Sequence, residues 1–282
     1  MRDQLDSEKQ KDDTSMQRKL VFEVPPVGEE LYDISLVIPV YNQAKNVIQT
    51  LDRIKKIMNL TKLRYELIVV NDGSTDNTLQ LLQREEETDS RVKLFSYDKN
   101  EGKGYAVRIG IMNSKGKAVV FIDGDSDISV ESIVGFIAAL RSWDIIIASK
   151  AHPLSRVNTP LSRRILSKGF NYLVRLMLGL KFRDTQSGMK AGNGHVLRVL
   201  FKFMTVRRYA FDVELIAIAH AMKLRIKEMP IELNIDSGFN IAEILVMFKD
   251  LLAIWYRYGK IKAKSEELNL TIKYLLSEKR YN

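Results

Sequence analysis

The chain has no cysteine among its 282 residues. Neither a disulfide framework nor a Cys-ligated zinc site is therefore available, and a reducing compartment is favoured. Long hydrophobic runs are missing too. Nowhere do about 18 apolar residues follow one another without charge, and the nearest approach, Ile241 to Tyr256, is broken by Glu243, Lys249 and Asp250. A transmembrane helix is not expected. The N-terminus has no apolar segment behind its mixed charges (Arg2, Asp3, Asp6, Glu8, Lys9, Lys11), so it does not read as a secretory signal. Residues 1–33 read as a disordered or extended tail. The three histidines, His152, His195 and His220, are too scattered to offer a metal-ligand spacing.

What is present is a 45% hydrophobic composition, enough for one large domain, and an uneven charge. Residues 141–282 hold 25 Lys and Arg against 12 Asp and Glu, leaving 19 against 23 for the first 140. A basic half suits a phosphate-bearing ligand, an anionic membrane, nucleic acid or plain solvated surface. No helix joins a basic recognition face to a known DNA-binding motif, so nucleic acid is not an expected partner.

Short β-rich runs alternate with helical patterns. Ser35 to Val40, Glu66 to Val70, Val92 to Tyr97, Ala118 to Ile122 and Asp144 to Ala148 read as strands. Helices are expected through about Met58, over Thr75 to Glu86, Lys103 to Asn113 and Val130 to Leu140. This rhythm predicts an α/β fold, Rossmann-like, with a mostly parallel sheet flanked by helices and ligands at the carboxyl ends of its strands. After residue 150 come a basic loop, a long amphipathic helix (Leu161 to Leu180), a polar turn (Asp184 to Gly188), two more helices and a strand over Ile226 to Leu233. A further amphipathic helix runs from Ile241 to about Tyr258. The expected division is 34–150 for nucleotide binding, 151–236 for the acceptor side and 237–282 for a C-terminal amphipathic helical extension.

Three strand ends carry turns rich in carboxylates or amides: Tyr41-Asn42, Asn71-Asp72-Gly73, and Asp123 to Asp127. Asp123, Asp125 and Asp127 alternate, so in an extended chain they share a face. Three carboxylates on one face repel unless a cation joins them, and oxygen ligands suit Mg²⁺ or Mn²⁺ bridged to a diphosphate. The competing readings are an ordinary acidic turn and a calcium loop, and the latter lacks its bidentate Glu because that position holds Val134. Asp72 suits either the imide N–H of a nucleobase or the cap of the next helix, a job also open to Ser74. Asn100-Glu-Gly-Lys-Gly104 offers Lys103 and two glycines at a helix start, a phosphate approach or simply a turn.

With these motifs assembled, the chain resembles family-2 glycosyltransferases of the GT-A fold, over about Ser35 to Leu233. The resemblance lies in Val37-Ile-Pro-Val-Tyr-Asn42, Asn71-Asp-Gly-Ser-Thr75, Asn100-Glu-Gly-Lys-Gly104 and Asp123-Gly-Asp125. Asp184-Thr-Gln-Ser-Gly-Met-Lys190 and Arg207-Arg-Tyr-Ala-Phe-Asp-Val-Glu214 are similar to the enzymes that load sugars onto polyprenyl phosphates, the dolichyl-phosphate glucosyltransferases and mannose synthases, and nearer the former. The resemblance implies that Pro39, Tyr41, Asp72, Lys103 and Asp123 bind the donor nucleotide sugar, while Asp125 and Asp127 hold the divalent metal. It further implies that Asp125, Arg156, Arg163 and Asp212 act at the reacting centre, with Arg183, Ser187 and Glu214 beside the acceptor phosphate or the sugar.

The implied activity is transfer of glucose from UDP-glucose to a polyprenyl or dolichyl phosphate. GDP-mannose, another saccharide acceptor, or an inactive sugar-nucleotide-binding protein are the alternatives. A phosphate monoester with a second pKa of about 6 is largely dianionic at neutral pH and attacks the anomeric carbon without a general base. Inversion follows, with Arg156, Arg163 and Arg164 screening two anionic reactants. Leu161 to Leu180 and Ile241 to Tyr258 mix basic, aromatic and apolar residues, as interfacial helices do and as core-packed helices also do. The expected setting is cytoplasmic, peripheral on the cytoplasmic face of a membrane, and a membrane-protein partner or a homo-oligomer stays open.

Overall fold

The computed structural model describes residues 31–124, 130–234 and 245–259, without the side chains of Ser162 and Arg163. Its centre is a sheet of seven strands in the order β3-β2-β1-β4-β7-β5-β8. The strands are β1 (Tyr32–Val40), β2 (Tyr65–Asp72), β3 (Val92–Tyr97), β4 (Gly116–Ile122), β5 (Ile145–Ala148), β7 (Met189–Asn193) and β8 (Ile226–Met229). All pair in parallel except β7, which runs antiparallel to both β4 and β5. A second, two-stranded sheet joins β6 (Arg156–Asn158) to β9 (Glu232–Asn234).

Residues 34–40 of β1 and all of β2 are buried without alternation, because both faces of the sheet are covered. The two-residue period instead sorts side chains between two cores. Val37, Ile68, Val119, Phe121 and Ile147 enter one. Leu36, Val69, Val120, Ile122 and Ile146 enter the other. Helices α1 (Val47–Thr61), α2 (Thr78–Thr88) and α4 (Ser132–Ala139) cover the second core through Leu51, Ile54, Leu82 and Phe136. The first is covered by α3 (Lys103–Met112), α5 (Leu161–Leu178), α6 (Gly194–Phe203), α7 (Phe211–Ala221) and α8 (245–259).

The expected parallel α/β sheet is therefore present, with three differences. Met189 to Asn193 carries two glycine-class small residues and a lysine, a composition that hid β7; the strand forms because it is sandwiched between β4 and β5. The single strand expected over Ile226 to Leu233 is broken at Pro230, which lacks the N–H a continuing ladder needs, and its halves serve different sheets. Neither Asp72 nor Ser74 caps α2. The N-cap is Asn77, without a side-chain cap bond, and Asp76 just before it accepts the Thr78 N–H on its Oδ1 at 3.0 Å. The first four residues of the expected Ile241 helix lie outside the described residues; the remainder is α8.

Candidate active site

The carboxyl ends of β1, β2 and β4 open onto one cleft of about 1080 Å³, at the point where the chain steps from one side of β1 to the other. One wall holds Pro39 and Tyr41 after β1, Asp72 at the end of β2, Asn100, Gly102 and Lys103 at the start of α3, and Asp123 and Gly124 after β4. The opposite wall is basic. Lys150, Arg164, Lys168, Arg175 and Arg183 line it, with His152 among them, while Arg208 lines the cleft beside Gly102.

Asp72 is anchored before any ligand arrives. Its Oδ1 accepts the Tyr97 hydroxyl at 2.8 Å and the Glu101 N–H at 2.8 Å, and Oδ2 accepts the Gly102 N–H at 3.1 Å. Burial pushes its carboxyl above the usual range, and those donors oppose the rise. The side chain thus ties the loop before α3 to the end of β2. Gly102 (φ 103) and Gly104 are glycines because the 207–211 segment presses on them: a Cβ would lie 2.8 Å from the Arg207 carbonyl at one and 2.7 Å from the Phe211 side chain at the other. Gly102 and Lys103 both line the cleft, and Lys103 reaches across to Asp123 at 2.5 Å.

Asp123 is seated by the turn before β7. Its N–H donates to the Gly188 carbonyl at 3.1 Å, and a Cβ on Gly188 would overlap the Asp123 carboxylate. That turn is itself fixed at three points. Asp184 accepts the Lys150 N–H at 2.8 Å, Asn171 of α5 accepts the Thr185 N–H at 3.1 Å, and Glu228 of β8 accepts the Arg183 N–H at 2.9 Å. Deeper in the floor Asp212, at the start of α7, pairs with Lys190 of β7 at 2.6 Å, and both side chains are buried. Burial pushes Asp212 up and Lys190 down, while each one's charge pulls the other back.

Of the residues singled out from sequence, Pro39, Tyr41, Asp72, Lys103, Asp123, Arg183 and Asp212 all line this cleft. Three do not. Arg156 sits on β6 between Ser155 and Val157, which face the cleft; strand alternation turns its guanidinium out to Glu232 at 3.2 Å, with 84% of the side chain exposed. Glu214 is buried and spent on the 204–206 loop, accepting the Thr205 and Val206 N–H groups at 2.9 and 2.8 Å and pairing with Arg257 of α8 at 3.4 Å. Ser187 is buried and off the cleft, and its carbonyl accepts the Lys190 ammonium at 2.8 Å. Asp125 and Asp127 lie outside the described residues, as does the side chain of Arg163. Among the described residues no group of three acidic or histidine side chains stands ready for a metal. Lys150, Lys168, Arg175 and Arg208 also line the cleft and were not among the expected site residues. For Lys168 and Arg175 a signal existed, since 164, 168, 171 and 175 share one stripe of α5.

A parallel sheet with one reversed strand, carrying carboxylates at its carboxyl edge and cations opposite, is the layout of a GT-A glycosyltransferase. Glucosyl-3-phosphoglycerate synthase of Mycobacterium tuberculosis, solved with Mn²⁺, UDP and glucosyl-3-phosphoglycerate, shares the fold at a TM-score of 0.60 and 19% identity, over 80% of each chain. The description Glycosyl transferase family 2 matches residues 35–201, and the chain belongs to that family. Similar relatives include the human dolichyl-phosphate β-glucosyltransferase, 32% identical over 80% of this chain and 75% of its own. The Drosophila melanogaster enzyme of the same name is 31% identical over 80% and 75%. One from Trichomonas vaginalis is 29% identical over 87% and 77%.

Gly188→Ala tests the seat of Asp123. The added methyl forces the strand end aside, and a displacement of about 1 Å at a reacting centre costs roughly 100-fold in turnover. Sugar transfer is expected to fall by about that factor with an unchanged circular dichroism spectrum; undiminished transfer would show that Asp123 needs no such seat.

Proposed function

We propose that this chain transfers glucose from UDP-glucose to dolichyl phosphate, with inversion at the anomeric carbon. The observation that carries the reading is the division of one cleft by charge. A half that bears Asp72 and Asp123 faces a half lined by five Lys and Arg side chains, as two phosphate-bearing substrates require. The names of the relatives supply the sugar and the lipid.

Tyr41, Pro39 and Asp72 form the nucleoside end in this reading, and Lys103 and Asp123 the diphosphate end. Hard oxygen ligands at Asp125 and Asp127, two residues and four beyond the cleft-lining Asp123, fit Mg²⁺ or Mn²⁺. Such an ion, once bound, would neutralise charge on the departing diphosphate. The acceptor phosphate is drawn in by Arg164, Lys168, Arg175 and Arg183, which replace Arg156 in the expected screening role. No general base is needed. Each cleft carboxylate among the described residues already accepts a cation or an N–H: Asp72 from Gly102, Asp123 from Lys103, Asp184 from Lys150, Asp212 from Lys190. A dianionic acceptor attacks unaided.

The cytoplasmic face of a membrane is the proposed setting. No described helix is long and apolar enough to cross a bilayer. Helix α5 instead has three faces: Phe170, Val174 and Leu178 in the core, Arg164, Lys168 and Arg175 on the cleft, and exposed Leu161, Ile165, Tyr172 and Leu176. Helix α8 likewise buries Met247, Leu251 and Ile254 while exposing Phe248, Leu252, Trp255 and Tyr256. An apolar face at the rim of a basic cleft suits headgroup-level docking beside a lipid acceptor.

Radiolabelled UDP-glucose and GDP-mannose, each offered with dolichyl phosphate and Mn²⁺, test the reaction. Lipid-linked glucose from UDP-glucose alone is expected; lipid-linked mannose, or no lipid-linked glucose, would overturn it. Sedimentation with anionic liposomes tests the setting. The wild-type chain is expected to pellet and a Trp255→Ser, Tyr256→Ser variant to remain largely in solution, whereas equal recovery of both in solution would count against docking.

A further inference from the structure

A wholly buried ammonium is costly. Removing such an ion from water costs several kcal/mol even after relaxation, and an apolar pair of similar volume often serves stability as well or better. Lys190 is 1% exposed in the middle of the seven-stranded sheet, directly opposite Phe121 on β4 and Ile147 on β5. Its ammonium stands 5.6 Å from the centre of the Phe121 ring, donates to the Ser187 carbonyl at 2.8 Å, and pairs with Asp212 at 2.6 Å.

These contacts join the turn before β7 to the cleft floor. Ser187 precedes Gly188, whose carbonyl holds the Asp123 N–H and whose missing Cβ leaves room for the Asp123 carboxylate. Asp212 comes from a different element, the first turn of α7, and reaches the cleft floor. We propose that Lys190 is a positioning residue for sugar transfer: it clamps the Asp212 carboxylate and the Ser187 carbonyl together, fixing Asp212 relative to Asp123 so that Asp212 can accept hydrogen bonds from the hydroxyls of the donor sugar. The assignment rests on the glycosyl-transfer reading above. Lys190 itself does not touch the substrate; it does not line the cleft.

The charges around Asp212 supply a readout that a packing role would not move. Lys190 faces it from β7 and Lys103 from α3, both favouring its ionised form, while Asp123 beyond β4 opposes it. Asp184 acts on Lys190 from the turn. Burial already pushes Asp212 up, so removing Lys190 raises it further, and the carboxylate then forms only as pH rises.

The test compares wild type, Lys190→Met and the double variant Lys190→Met, Asp212→Asn, measuring kcat and the UDP-glucose KM between about pH 6 and about pH 9. For Lys190→Met the expected result is a kcat lowered roughly 100-fold near neutrality, a KM close to wild type, and recovery of kcat toward the alkaline end. The double variant removes both buried charges and so keeps its fold; it is expected to stay slow at every pH. Wild-type kcat in either variant, or a Lys190→Met loss of equal size at every pH, would overturn the proposal. Should Lys190→Met fail to fold, the double variant decides, because a merely structural ion pair leaves it fully active. Wild-type turnover in the same assay reports on the donor assignment separately; if another nucleotide sugar is the donor, the three-way comparison is made with it.

Discussion

Strand β7 runs against its neighbours, and that reversal brings the turn at 184–188 to the edge of the sheet where the parallel strands end. Met189 pairs with Ile122, the last residue of β4, so the residues just before β7 meet those just after β4. Gly188 and Asp123 are brought together in this way, and Lys190, two residues on, is carried into the core beneath them. A parallel strand in the same place would present its own carboxyl end there and leave 184–188 at the far side of the sheet. The anchors from Asn171, Lys150 and Glu228 then set the turn against α5, the loop after β5, and β8.

From that arrangement the charge pattern of the cleft follows. Carboxylates arrive on strand ends and at the start of α7, each already matched to a cation or an N–H. The cations of the opposite wall arrive mainly on α5, whose cleft stripe lies beside an exposed apolar one. Five Lys and Arg side chains on one wall repel one another, and an anionic ligand relieves that repulsion. The basic excess seen after residue 140 is thus concentrated, in part, on that wall.

The sequence disclosed what is local. Five apolar runs at strand length, and turns at Tyr41, Asp72 and Asp123, were readable because burial on both faces removes alternation and because strand ends carry the polar residues. Pro39, Tyr41, Asp72, Lys103 and Asp123 all fell on the cleft. What escaped depends on contacts far apart in the chain. Nothing in Met189 to Asn193 announces a strand until β4 and β5 flank it. Arg156 is one position of strand alternation away from the cleft, and the 204–206 loop occupies Glu214. Lys190 and Asp212 lie 22 residues apart, and only the fold makes them a pair.

If the donor half of the cleft is acidic by design, a diphosphate enters it only with a divalent cation. Calorimetric titration of UDP into the wild-type chain, with Mn²⁺ and then with excess chelator, measures this directly. Affinity at least about tenfold higher with the metal, equivalent to about 1.4 kcal/mol, is the expected result. Equal affinity in the two titrations would contradict it, for Asp123 and its acidic neighbours would then face the diphosphate unbridged.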